Sequence, residues 1–254
     1  QARANGAKII YADPRLTPTG KQADLHLQFY SGTDVALLNC FMQLIIKNGW
    51  ENKDFIKNRT KDYEKVKEVV MKDAYSPENV SKITGVPAAD IIKAAEWFGT
   101  SGQSAVLYSM GITQHTTGVD NVKSVANIQM LTGNLGRPGT GICALRGQNN
   151  VQGSAHMGCE PVTLAGSQSF AEAARFEAAW GQPLPATPGK DLLQMLDAAL
   201  AGQFKALWAF GYDIYPTLAN MAQTAQALQQ LELVIVQDLF LNETAKAFGH
   251  VFLP

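Results

Sequence analysis

The 254 residues carry 21 basic and 22 acidic side chains, a formal charge of -1, with 46% hydrophobic and 17% charged content. That composition excludes disorder, and the balanced charge offers no electrostatic footprint for nucleic acid or an acidic membrane. The length suits one large domain or two smaller ones with a real core, and no apolar run approaches the ~20 residues of a membrane span.

The chain opens on Gln1, Ala2 and Arg3 without Met or the apolar core of a signal peptide, so its amino end reads as cut. Residues 8–12 form a β-branched run stopped by Asp13 and Pro14, a strand whose carboxyl end is Asp13. Residues 25–29 alternate as a second strand. Ser31, Gly32, Thr33 and Asp34 then lead into an apolar run from Val35 to Ile46 at helical spacing, with Thr33 or Asp34 as its cap. Short charged amphipathic helices occupy 52–84, one starting at Ser76 and Pro77. A further helix presents Ile91, Ile92, Ala95 and Phe98 on one face, and a strand over 104–108 ends near a turn at Gly111.

A helix-like stretch follows, and then loops: seven glycines fall from Gly133 to Gly158, where a missing Cβ lets backbone bend sharply and approach a ligand. Beyond them come a helix at 169–180, a Gly/Pro-rich linker at 181–189, a helix at 191–201, a strand at 205–210, a helix at 217–229, and strands at 233–238 and 250–253. Strand and helix alternate as in an open sheet. The expected fold is therefore α/β, two Rossmann-like three-layer αβα units with mainly parallel sheets, one over 1–150 and one over 151–254. The strands at 8–12, 104–108, 205–210 and 232–237 are expected to fall into two sheets, divided near residue 150.

Cys40, Cys143 and Cys159 show no CxxC spacing, which argues against a disulfide framework and a structural zinc site, and Cys40 reads as a core residue. His26, His115, His156 and His250 are too scattered for a helical metal site, so no metal ligand is assigned. Gly139, Gly141 and Ala144 match the GxGxxA dinucleotide fingerprint, but the match neither follows a strand nor opens a helix and is attributed to chance. In open α/β sheets ligands gather at the carboxyl ends of strands. Standing there are Asp13 to Thr17, Met110 to Gln114, Gly211 to Asp213, and Gln237 with Asp238. Taken singly, Asp13 and Asp238 read as helix caps. Taken together, these polar ends suit a nucleotide-like ligand, with Arg15 for a phosphate.

The runs from Met110 to His115, Leu131 to Gly141 and Leu145 to Gly153 resemble the catalytic alpha subunits of formate dehydrogenases in the dimethyl sulfoxide reductase family. The resemblance extends through Ala12 to Arg15, Gly32 to Asn39 and Leu233 to Asp238, and is looser in the last third. It implies molybdenum or tungsten held by two pyranopterin guanine dinucleotides, one per α/β domain. Carried over residue by residue, it implies Arg146 as the catalytic arginine that orients formate, with Gln148, Met110, Gly111 and Gln114 at the pterins. Asp13, Arg15, Thr17, Gly32, Thr33 and Asp34 fall on a guanosine-binding edge; Gln237 and Asp238, with Gly211 and Tyr212, fall on its equivalent in the other half. Ser154 to Gly158 depart from the family's commoner Ala-Cys-Asp-Met-Gly, leaving His156 without an assigned role.

The resemblance further implies an iron-sulfur cluster, a cysteine or selenocysteine metal ligand and a closing carboxyl-terminal domain, none of which this sequence contains. The expectation is an internal segment whose partners are formate and carbon dioxide, the remainder of the catalytic subunit and an iron-sulfur electron-transfer subunit. An oxidoreductase for nitrate or another oxyanion, or a nucleotide-binding module without activity, are the alternative readings; Arg146 within its motif favours formate.

Overall fold

The computed structural model describes residues 1–254 as two compact units, Gln1–Gly147 and Gln148–Pro254. The first unit runs β1 (Ile10–Ala12), β2 (Leu25–Leu27), α1 (Asp34–Lys47), α2 (Lys53–Arg59), α3 (Tyr63–Val70), α4 (Pro77–Thr84), α5 (Ala88–Thr100), β3 (Ala105–Tyr108), α6 (Met110–Thr113), α7 (Gly118–Leu131) and β4 (Gly141–Ala144).

Helix α1 is the hub, packing on α3, α4, α5 and α7. Leu37, Cys40, Phe41, Met42, Leu44, Ile45 and Ile46 are all buried, as expected of a helix apolar around most of its circumference. Burial pushes the Cys40 thiol up to about 12, so it serves as a small core group. The buried Gln43 amide is satisfied by donating to the carbonyls of Val70 at 2.8 Å and Lys72 at 2.9 Å. On α5, Ile91, Ala94 and Ala95 face the core, whereas Ile92 is exposed.

The strands of this unit form two separate parallel pairs: β1 with β2, Tyr11 opposite His26, and β3 with β4, Val106 opposite Ile142. The expectation that 8–12 and 104–108 share a sheet is corrected. The first pair is backed by α5 and the second by α7, with no hydrogen-bonded strand between them. Strand β4 also corrects the reading of its residues as loop. Four residues are too few to show a period of two, and what holds them is tertiary: Gln129, fully buried on α7, donates to the carbonyls of Gly141 at 2.8 Å and Ser104 at 3.3 Å, tying both strand starts to one helix.

The second unit comprises α8 (Val151–His156), α9 (Ala173–Trp180), α10 (Leu192–Leu200), β5 (Ala206–Phe210), α11 (Ile214–Thr217), α12 (Met221–Gln229), β6 (Leu233–Gln237), α13 (Glu243–Phe248) and β7 (Val251–Leu253). Residues 151–156, read as loop in the sequence, thus form a short helix. Asp191 and Gln194 close a capping box at the start of α10. The three strands make a parallel sheet in the order β5-β6-β7. Leu207, Ala209, Val234, Val236 and Phe252 point from one face into a core shared with Leu196, Ala199, Ala227, Leu228 and Ala245 of the helices. Every pairing between the named strands is parallel, so the chain is α/β with short parallel sheets.

Candidate cofactor-binding and active site

Strands β1 and β2 run side by side, so the turns leaving their carboxyl ends, Asp13 to Thr17 and Gly32 to Asp34, emerge from one edge. The first turn is fixed by Tyr11, which sits two residues before Asp13 and therefore on the same strand face. The Thr17 hydroxyl donates to the Tyr11 oxygen at 2.8 Å, and the Tyr11 hydroxyl donates to Asp13 Oδ2 at 3.0 Å. The Arg15 amide donates to Asp13 Oδ1 at 2.7 Å, and His26 Nε2 donates to the Asp13 carbonyl at 2.9 Å. Asp13 thus shapes its own turn rather than capping a helix. The Arg15 side chain projects into solvent with no ion pair.

In the second turn Gly32 adopts φ +86°, left-handed backbone that costs little only without a Cβ. Thr33 occupies the N-cap position of α1, yet its hydroxyl donates to the Tyr30 carbonyl at 2.6 Å and leaves the helix amides free. Asp34 opens the helix and is only 3% exposed, and its Oδ2 atom is buried without a hydrogen-bond partner. Burial pushes its carboxyl above the usual range, opposed by its own amide, the charge of His115 and the Gly32 amide. A buried acceptor without a donor at the amino end of a 14-residue helix is a costly arrangement for stability.

The ends of β3 and β4 likewise adjoin. The Leu145 amide donates to the Tyr108 carbonyl at 2.7 Å and the Ser109 hydroxyl to the Leu145 carbonyl at 2.9 Å, which fixes the backbone directly before Arg146. Met110, Gly111 and Gln114 lie on and just after the single turn α6, all exposed, with Met110 62% accessible. His115 Nε2 donates to the Gly111 carbonyl and Asn121 Nδ2 to the Ile112 carbonyl, each at 2.9 Å, pinning that turn to α7. Arg146 is exposed and makes no hydrogen bond or ion pair, so its guanidinium fork is free. The division between the units falls after Gly147, so Gln148, exposed, begins the second unit.

In that unit Gly211 follows β5 at φ +63° and its amide donates to the Gln237 carbonyl at 2.8 Å, bringing Gly211, Tyr212 and Gln237 to one edge. Asp238 Oδ2 accepts from Asn242 Nδ2 at 2.9 Å, leaving its Oδ1 with one long contact of 3.5 Å from the Phe240 amide. Asp213 is spoken for: its carboxylate accepts from the Thr244 hydroxyl, the Thr244 amide at 2.9 Å and the Glu243 amide at 3.3 Å, holding the start of α13. Burial alone would raise its carboxyl, but these donors and Lys246 outweigh it and lower it. No three His, Cys, Asp or Glu side chains gather as a metal centre.

The family model for molybdopterin oxidoreductases matches residues 1–254. The chain belongs to the molybdopterin oxidoreductase family. The alpha subunit of F420-dependent formate dehydrogenase 1 from Methanococcus maripaludis is 44% identical over 255 residues, covering 100% of this chain and 37% of that protein. Formate dehydrogenase H of Escherichia coli is 40% identical over 257 residues, covering 100% of this chain and 36% of that protein. The chain therefore spans little more than a third of the length of these relatives. Among solved structures, acetylene hydratase from Pelobacter acetylenicus superposes with a TM-score of 0.73 over 97% of this chain and 36% of that one, at 20% identity, and so speaks for the fold alone.

Membership in the molybdopterin oxidoreductase family implies a molybdopterin cofactor carrying a metal. The residues present fit such a group: a buried Asp34 carboxylate oxygen without a protein donor, an unpaired cation at Arg15 and polar turns at the carboxyl edges. Sequence reading missed the residues that position these groups. Tyr11 was legible as sharing a strand face with Asp13, whereas Ser109, His115 and Asn121 act through backbone carbonyls and leave no spacing signal.

Proposed function

We propose that the chain is part of the catalytic subunit of a formate dehydrogenase, holding the guanine dinucleotide form of molybdopterin at its strand ends and formate at Arg146. The observation that carries this reading is the 40–44% identity to formate dehydrogenase alpha subunits and formate dehydrogenase H across the whole chain. Asp34 supplies the physical support. Guanine presents two adjacent donors, its ring N–H and its amino group, and the two oxygens of the Asp34 carboxylate, of which Oδ2 has no donor within the protein, match them in number. Arg15 and the Asp13 to Thr17 turn, on the same edge, suit phosphate and ribose hydroxyls. Gly211, Tyr212, Gln237 and Asp238 offer the corresponding edge of the second unit, and Met110, Gly111, Gln114 and Gln148 suit the polar rim of a pterin.

Oxidation of formate releases carbon dioxide, a proton and an electron pair, and the metal of the bound cofactor, molybdenum or tungsten, supplies the electron acceptor. The task left to the chain is to orient the substrate. Arg146 matches a carboxylate with its planar fork, so it holds formate by its oxygens and leaves the C–H bond pointing away from the guanidinium. An iron-sulfur cluster elsewhere in the subunit, with an electron-transfer subunit beyond it, would carry the electron pair onward.

The test is to purify the full-length subunit, measure molybdenum and tungsten, release guanine nucleotide by acid, and assay formate-dependent reduction of a viologen dye. Metal, guanine and formate turnover together are expected. Metal and guanine with reduction of nitrate and no formate turnover would overturn the substrate assignment, and absence of guanine would overturn the role of Asp34.

A further inference from the structure

Helices α2 and α3 frame a cleft of about 640 Å³, a volume that suits an organic ligand and far exceeds a simple inorganic ion. Four lysines and three carboxylates line it, so its charge is net positive although that of the chain is -1. One of those carboxylates is poorly served. The Glu51 side chain is only 8% exposed, its Oε2 atom accepts no hydrogen bond, and the nearest cation, Lys53 Nζ, stands 3.9 Å from Glu51 Oε1. A buried acceptor without a donor is costly, and nothing within the fold relieves it. The Lys53 side chain is 79% exposed, and so long and solvated an ion pair holds it weakly, so it gives way readily to an incoming N–H donor.

The rest of the cleft is aromatic and cationic. Tyr63 is half-buried, and burial, followed by the charges of Glu51 and Glu64, pushes its hydroxyl up, so its ring stays neutral within the field of Glu51. Lys67 Nζ stands 5.8 Å from the centre of that ring. Lys65 is paired with Asp62 at 2.7 Å, whereas Lys57 and Lys67 make no ion pair. The cleft therefore joins an acceptor in want of an N–H donor, an aromatic surface and two unpaired ammonium groups. A nucleoside phosphate carries the complement of each: N–H donors on the pairing edge of its base, a flat face that stacks on a ring, and a phosphate for the lysines. None of the strand-end residues proposed to hold the molybdopterin cofactor lines this cleft.

We propose that the cleft between α2 and α3 binds a nucleoside phosphate, with the N–H edge of its base at Glu51, its ring on Tyr63 and its phosphate at Lys57 and Lys67. The experiment is isothermal titration calorimetry of the full-length subunit with ATP and, as the anion alone, tripolyphosphate, both without divalent metal. Adenine is the probe because the proposed cofactor already carries guanine. The expected result is saturable binding of ATP at least about tenfold tighter than that of tripolyphosphate, the difference being the base. Glu51→Gln, which presents a donor where an acceptor stood, should weaken ATP about tenfold, and so should Lys57→Glu, which sets like charge against phosphate. Neither variant should lower Tm, since Lys57 is exposed and Glu51→Gln relieves a buried charge. Tripolyphosphate binding as tightly as ATP would make the cleft a patch for anions only and overturn the proposal. ATP binding that is unchanged in Lys57→Glu, or that does not saturate below about 10 mM, would overturn it too. Formate turnover on the same samples keeps the two readings apart: turnover without ATP binding would sink this proposal alone, and ATP binding without turnover would sink only the proposed activity.

Discussion

Arg146 and Asp34 show how two charged side chains can be placed for opposite physical reasons. Arg146 is solvated and unpaired, and its backbone is fixed by Tyr108 and Ser109 on the neighbouring strand. Its removal should therefore cost chemistry and not folding. In the full-length enzyme Arg146→Ala is expected to lower formate turnover about a hundredfold with metal and guanine content unchanged, the usual cost of losing one preorganised charged donor of ~3 kcal/mol. Arg146→Lys, which keeps charge and loses the fork, should fall between. Joint loss of cofactor and activity would show that Arg146 only pins its loop. Asp34 is the reverse case, a group whose burial disfavours its charge. Because its folded carboxyl is raised, its contribution to stability is fully present below the ordinary carboxylate range and is lost as pH rises through the raised value. Asp34→Asn should then leave the cofactor-free protein at neutral pH as stable as before or more so, measured by thermal melting. The same variant should bind guanine dinucleotide roughly tenfold more weakly, since a charged acceptor is worth ~1.5–3 kcal/mol and an amide cannot accept both guanine donors. Full retention of guanine would refute the assignment.

At the level of elements, Asp213 deserves separation from its neighbours. Placed among the polar strand ends by sequence, it is engaged by the amides and hydroxyl that open α13, which makes it a tether between β5 and that helix. Its lowered carboxyl gives stability that is present above the ordinary carboxylate range and lost as pH falls through the folded value. Asp213→Ala should loosen the start of α13 by about 1–2 kcal/mol at neutral pH. Amide exchange at Thr244 and Ala245 should then quicken roughly tenfold, and the difference from the parent should shrink in acid. An unchanged exchange rate would mean that Asn242 alone caps the helix. The elements whose own residues carry the pattern were legible: α1 from its apolar run, β5 and β6 from their β-branched and aromatic content. Those held by distant partners were not. β4 depends on Gln129 of α7, and α8 begins at Asn150 in a left-handed conformation that no motif announces. The same split runs through the site, where side chains at strand ends were found and the carbonyl-binding residues behind them were not.

For the molecule as a whole, recognition of the family and of the α/β class was within reach of sequence because motifs mark the strand ends. The pairing of strands was not, since which ladders join depends on what lies between them. On the function proposed above, the 254 residues made alone would offer Arg146 to a carboxylate, whereas the electron pair would leave through a metal-bound cofactor and a relay beyond it. No formate turnover is expected from this stretch in isolation under dye-linked assay, and measurable turnover would refute that view.

The purely parallel ladders also set the order in which the protein can form during synthesis. A hairpin closes as soon as its second strand emerges, whereas here Ala105 must wait for Gly141, and Ala206 for Leu233, with a helix made in between. Each ladder therefore closes late and over a long loop, which slows folding and leaves strand edges open to wrong partners on the ribosome. A chain wired this way gains most from α1 and its neighbouring helices collapsing early, and a pulse-labelling experiment should find the amides of α1 protected before those of any strand.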